Sequence, residues 1–255
     1  MLRGITISIS DSGSIVSANE PPLQGPTASQ LAALLQLASP ALPIGAFSYS
    51  QGLEAAVNAK VVVNETSAGA WIRSQFEQSF LPRELYSLQA AFQEIERISG
   101  QTWPSDLSAL GEIDLSFVAS RDSAEGRLET RQLGASLCRW LNSVAPDHPI
   151  GRIFATLREL QDGNVSSPCA FAGVGLSQGL TMEMTRFAWA FSWLENQVQA
   201  AVKLVPLGQS SGQRLLLSLR PLSGLAPPTE PWTCAPMASL LMMRHERQYS
   251  RLFRS

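Results

Sequence analysis

Residues 187–194 read Phe-Ala-Trp-Ala-Phe-Ser-Trp-Leu, apolar around nearly the whole circumference of a helix. Thr181 is placed to cap that helix, Glu183 falls in its first turn, and Val198, Ala201, Val202 and Val205 carry it to Pro206. A helix with no solvated face must be covered from several directions at once. This stretch therefore predicts the centre of a packed helical domain, and the rest of the chain must supply the helices around it.

Helical periodicity recurs on both sides. Thr27 or Ser29 caps a helix with Leu31, Leu34, Leu35 and Ala38 on one face, which Pro40 ends. Ser50 caps a short helix over 51–58, and residues 61–63 are too few to build a sheet. Residues 66–81 set Trp71, Ile72, Phe76 and Phe80 at helical spacing. Pro82 then opens a further helix to about residue 98, burying Leu85, Leu88, Phe92 and Ile95. Asp106 caps a helix carrying Leu110, Ile113 and Phe117. Residues 125–141 place Leu133, Leu137 and Trp140 on one side, with Arg127, Glu129 and Arg131 read as a solvated face. Short helices over 150–160 and 213–219 and a Pro-rich loop over 221–236 follow. The tail, 237–255, reads as a basic amphipathic helix with Met242, His245, Tyr249 and Phe253 on one stripe.

Residues 1–26 are rich in Ser, Gly and Pro, and only Ile5, Ile7 and Ile9 alternate, so a mobile leader is expected there rather than an edge strand. Strands and helices nowhere alternate, which makes the expected fold all-α: a single-domain bundle of about eight to ten helices over 27–236, with the tail as a partner-binding helix.

Composition narrows the function. Charged residues are 16% of the 255 against a usual quarter, and hydrophobic residues are 45%, leaving apolar surface for a partner to cover. A net charge of −2 gives no footprint for nucleic acid. Cys138, Cys169 and Cys234 form no CxxC, which fits a reducing cytoplasm; Cys169, in an apolar run, reads as a core residue. Two histidines, His148 and His245, are too few for a histidine-rich metal site. No apolar run reaches the roughly 18 residues of a membrane span.

The enzymatic alternative rests on Gly175-Leu176-Ser177-Gln178-Gly179, which fits G-x-S-x-G, the nucleophile elbow of serine hydrolases. An elbow needs a strand entering and a helix leaving. The competing reading is that Gly173, Gly175 and Gly179 let two helices approach closely. No nucleotide-binding fingerprint is present, so any GTP chemistry belongs to a partner, and no cofactor is expected.

Residues 34–54 read Leu-Leu-Gln-Leu-Ala-Ser-Pro-Ala-Leu-Pro-Ile-Gly-Ala-Phe-Ser-Tyr-Ser-Gln-Gly-Leu-Glu, a rigid corner set by Pro40, Pro43 and Gly45 and poor in reactive groups. This corner, the run 192–209 with Gln213-Arg214-Leu215-Leu216 after it, and the tail Met-Arg-His-Glu-Arg-Gln-Tyr-Ser-Arg-Leu-Phe-Arg-Ser of 243–255 together resemble the urease accessory protein UreF family. The resemblance implies an all-helical, non-catalytic homodimer that binds UreD (UreH in some systems). Through that complex it recruits the nickel-carrying GTPase UreG to apo-urease and regulates nickel insertion. It also implies a partner-binding set: Phe47, Tyr49, Gln51 and Glu54 of the corner, Lys203 of the long helix, and Arg244, His245, Glu246, Tyr249, Ser250, Arg251, Leu252 and Phe253 of the tail. Tyr249, Leu252 and Phe253 beside Arg251 are also the residue types enriched at interface hot spots.

Overall fold

The computed structural model describes residues 25–254 except 104 and 162; Ile5, Ile7 and Ile9, and the expected leader up to residue 24, lie outside the described residues. Thr27 accepts the backbone N–H of Gln30 while the Gln30 side chain accepts that of Thr27, a capping box that starts α1 (Ala28–Ala38). After the corner come α2 (Leu53–Asn58) and α3 (Glu65–Gln75), the latter capped by Asn64. The chain continues through α4 (Tyr86–Ser99), α5 (Ser108–Ala119), α6 (Ala124–Val144) and α7 (Pro149–Gln161). It closes with α8 (Ser167–Ser177), α9 (Met182–Leu204), α10 (Gln209–Leu219) and α11 (Pro236–His245). Among the described residues there is no strand, and the architecture is an all-α single-domain bundle.

Pro82 does not open a new helix. Residues Phe76–Leu85 adopt a π-helix that joins α3 to α4 as one rod. Proline lacks an N–H and its ring collides with the carbonyl of an α-helical turn, and the wider register relieves both. It also leaves carbonyls unpaired along the rod, and the Pro-rich linker takes them up: the N–H of Cys234 donates to Gln78 (3.0 Å) and that of Trp232 to Pro82 (3.4 Å). With this rod counted once, the described residues form ten helical rods.

α9 is the longest helix and packs against α1, α2, α3, α4, α8 and α10, with Trp193 set against the rings of Phe76 and Phe80. Its expected all-round burial is not complete. Phe187 is exposed, its ring stacked on that of Phe191. The most enclosed helix is instead α8, buried at every residue from 167 to 175 between α4, α6, α7 and α9. Small residues make that enclosure possible. A Cβ on Gly173 would stand 2.4 Å from the Phe154 ring, and one on Gly175 2.3 Å from the Thr185 hydroxyl. The partner helix α6 has the same device at Gly134, where a Cβ would meet the Val165 carbonyl oxygen at 1.8 Å.

α1 also turns a different face inward. Leu37 and Ala38 are buried with Leu34 packed against them, whereas Leu31 and Leu35 are exposed. Both stripes of α1 are apolar in sequence, and contact with α9 selects one of them.

Candidate partner-recognition site

The corner is shaped by backbone that ordinary residues avoid. Gly45 (φ +79°) and Gly52 (φ +84°) lie in the left-handed region, and so does Gln51 (φ +51°), a side chain normally excluded from it. α11 also packs tightly on Gly52, where a Cβ would meet Met242 Cγ at 3.1 Å. Between these points a 3-10 turn, Ala46–Ser48, thrusts Phe47 outward with 59% of its surface exposed.

The neighbours of Phe47 turn inward. Tyr49 is buried and its hydroxyl donates to Gln132 Oε1 of α6 (2.5 Å), while its carbonyl accepts Asn196 Nδ2 of α9 (3.0 Å). Burial, then the Glu129 carboxylate, push the Tyr49 phenol above its ordinary range, opposed by Arg254. The Gln51 amide bridges two helices, donating to Glu129 Oε1 (2.6 Å) and accepting from Trp193 Nε1 (2.5 Å). Glu129, expected on a solvated face, is buried, because the corner lies across α6 there. Behind this network is a partly open pocket of about 90 Å³ lined by Gln51, Glu84, Arg121, Glu129, Trp189 and Trp193.

The tail departs from the expected helix. α11 ends at His245 and residues 246–254 form an irregular strap folded back over the corner. Glu54 is the reason: with 5% exposure, it accepts the N–H groups of Leu252 at Oε1 (2.8 Å) and Phe253 at Oε2 (2.9 Å). These donors are thus drawn away from any helical ladder. Arg254 N donates to the Ser48 carbonyl (2.8 Å), and Arg251 pairs with Glu125. Glu246 caps the start of α6, accepting Ala124 N (2.7 Å) and Glu125 N (3.3 Å). His245 is fully buried between Glu54 and Glu125. Phe253 is buried as well, with Lys203 Nζ 5.8 Å from its ring centre, while Lys203 itself stays exposed.

Because the helix stops, Tyr249 does not share the inner stripe of Met242 and His245. It is fully exposed, as are Leu252, Arg244, Ser250 and Arg251 in large part. The structure thus divides the predicted set in two. Phe47, Lys203, Arg244, Tyr249, Ser250, Arg251 and Leu252 face outward, while Tyr49, Gln51, Glu54, His245, Glu246 and Phe253 tie the corner, α6 and the strap together. Glu125, Glu129 and Gln132 join them through space; their only sequence signal was polar residues on the edge of an apolar helix.

The serine motif is a helix–helix contact. Ser177 ends α8 and donates to the Val174 carbonyl (2.7 Å), no strand enters it among the described residues, and His245 is occupied by carboxylates on α2 and α6. Cys169 is fully buried, and burial raises its thiol well above the ordinary range. Among the described residues no cluster of His, Cys, Asp and Glu is arranged to hold a metal ion, and no helix is long and apolar enough to cross a membrane. The family model described as UreF matches residues 62–220, which takes in α3 to α10 and leaves the corner and the strap outside the matched span.

Proposed function

The chain belongs to the UreF family, whose role is accessory to urease maturation, and on that premise we propose that it is a non-catalytic cytoplasmic scaffold. In this reading it binds UreD (UreH) through the outer face of α11 and the strap. It recruits the GTPase UreG beside Phe47 and Arg251, and holds both on apo-urease so that nickel, the cargo of the complex, is inserted under control.

The observation that carries the reading is the set of exposed apolar side chains Met237, Leu240 and Met243 on α11 and Tyr249 and Leu252 on the strap, which is itself tied down by the buried Phe253 ring and by backbone hydrogen bonds to Glu54 and Ser48. Large apolar side chains held rigidly in water are what an interface uses as anchors, since little further ordering is needed on binding. Leu31 and Leu35 on α1, with Phe187 on the neighbouring α9, are a second exposed apolar set, and a second copy of this chain is the proposed cover.

The test is a pull-down of UreD and UreG with light scattering to count subunits. Joint replacement Tyr249→Ala/Leu252→Ala is expected to remove UreD capture without moving the melting temperature. Undiminished capture would refute the assignment of the strap. Arg251→Ala is expected to weaken UreG recruitment by on the order of 2 kcal/mol.

A further inference from the structure

We propose that the strap is held by a proton-dependent latch, in which His245 must carry hydrogen on both ring nitrogens for residues 246–254 to dock. His245 is fully buried, with Nδ1 2.9 Å from Glu125 Oε2 and Nε2 3.2 Å from Glu54 Oε2. A neutral imidazole has one N–H and one lone pair, so between two carboxylates its bare nitrogen would face another acceptor. The extra proton belongs on the ring because the carboxylates are already in use as acceptors. Glu54 takes the N–H groups of Leu252 and Phe253, and Glu125 takes the Arg251 guanidinium.

The surroundings balance this assignment. α2 presents Glu54 to the ring, α6 presents Glu125, and the strap returns Arg251 to Glu125 and Gln248 to Glu54 (3.5 Å). Two carboxylates thus meet one imidazolium and one guanidinium. The other charges nearby are engaged elsewhere or exposed. Glu246 faces the start of α6, Lys203 lies over the Phe253 ring, Arg254 lies beside Tyr49, and Arg244 points outward.

The docked tail therefore binds one proton more than a tail in which the end of α11, His245 included, has come away with the strap and the histidine is neutral in water. Docking is strongest on the acid side and weakens as the pH rises, by up to about tenfold per pH unit. Release would lift Arg251, Leu252 and Phe253 off the corner and dismantle the exposed apolar set; that this changes partner recruitment rests on the function proposed above, whereas the latch can be tested on the chain alone.

The chain has two histidines, so ¹⁵N-histidine labelling of the full-length protein gives two sets of ring signals. His148 supplies the contrast, because its Nδ1 accepts the Ile150 N–H (3.3 Å) and so carries a lone pair. In the docked state both ring nitrogens of His245 are expected to be protonated, since each faces a carboxylate oxygen. Amide protection of Leu252 and Phe253, corrected for intrinsic exchange, is expected to be greatest on the acid side and to fall as the pH rises, by up to about tenfold per unit. An unprotonated ring nitrogen in the docked state, or protection that does not change with pH, would overturn the latch.

Discussion

Gln51 shows how a single side chain can hold unfavourable backbone in place. Its positive φ costs on the order of 1 kcal/mol, and its amide repays this by joining Trp193 to Glu129. Two replacements separate these effects. Gln51→Gly relieves the backbone and leaves space for water, whereas Gln51→Leu keeps the strain and strands the Trp193 N–H. In urea unfolding the Leu variant is expected to be the less stable of the two, both falling below the wild type, with about 1–3 kcal/mol lost to the stranded donor. The outward residues should behave oppositely: Tyr249→Ala/Leu252→Ala removes side chains with almost no packing and is expected to shift stability by under about 0.5 kcal/mol while abolishing UreD capture. The sequence marked Tyr49 and Phe47 alike as aromatics of the corner. Which one faces water depends on Gln132 and Asn196, which are remote in sequence and so give the local pattern no sign.

At the scale of the element, close approach and an irregular helix decide the packing. Gly134→Ala would place a methyl group against a backbone carbonyl, which cannot rotate away as the Phe154 ring beside Gly173 can. It is expected to lower stability by about 3 kcal/mol or more and to exceed the loss for Gly173→Ala, as read from denaturant midpoints. The π-helix makes a separate prediction. In Pro82→Ala the rod can return to α-helical pairing and withdraw the carbonyls that the linker uses, so the Cys234 and Trp232 amides are expected to lose hydrogen-exchange protection while α8 keeps its own. Proline in the sequence signalled an interruption correctly. Whether it is met by a break or by a wider register depends on whether another segment can satisfy the freed groups, and that segment lies some 150 residues away.

For the molecule as a whole, buried acids give stability a direction with pH. Burial raises the Glu84 carboxyl, against Arg121 at 3.8 Å and the Trp189 N–H at 3.0 Å, and it raises Asp114 against the hydrogen bonds of Ser166. A carboxyl raised in the folded state binds its proton more tightly there than in the unfolded chain. Its contribution is fully present below the ordinary carboxylate range and is lost as the pH climbs through the raised value. Urea midpoints are therefore expected to fall as the pH rises from about 4 toward neutrality, and Glu84→Gln with Asp114→Asn should flatten that slope. The sequence by itself determined the all-α class, most helix positions, the central place of the helix over 187–205 and the family, because helical periodicity and caps are local and the matched span is long. Only the tertiary structure decided that α8 is the most enclosed helix, that α1 turns its other stripe inward, and that the tail leaves the helix at His245 to become a strap. Each of those outcomes is a competition between local hydrogen bonds or apolar faces and a partner brought near by the fold. For the strap that partner is Glu54, nearly 200 residues back in the chain, and no local pattern in 246–254 records that its carboxylate would be waiting there.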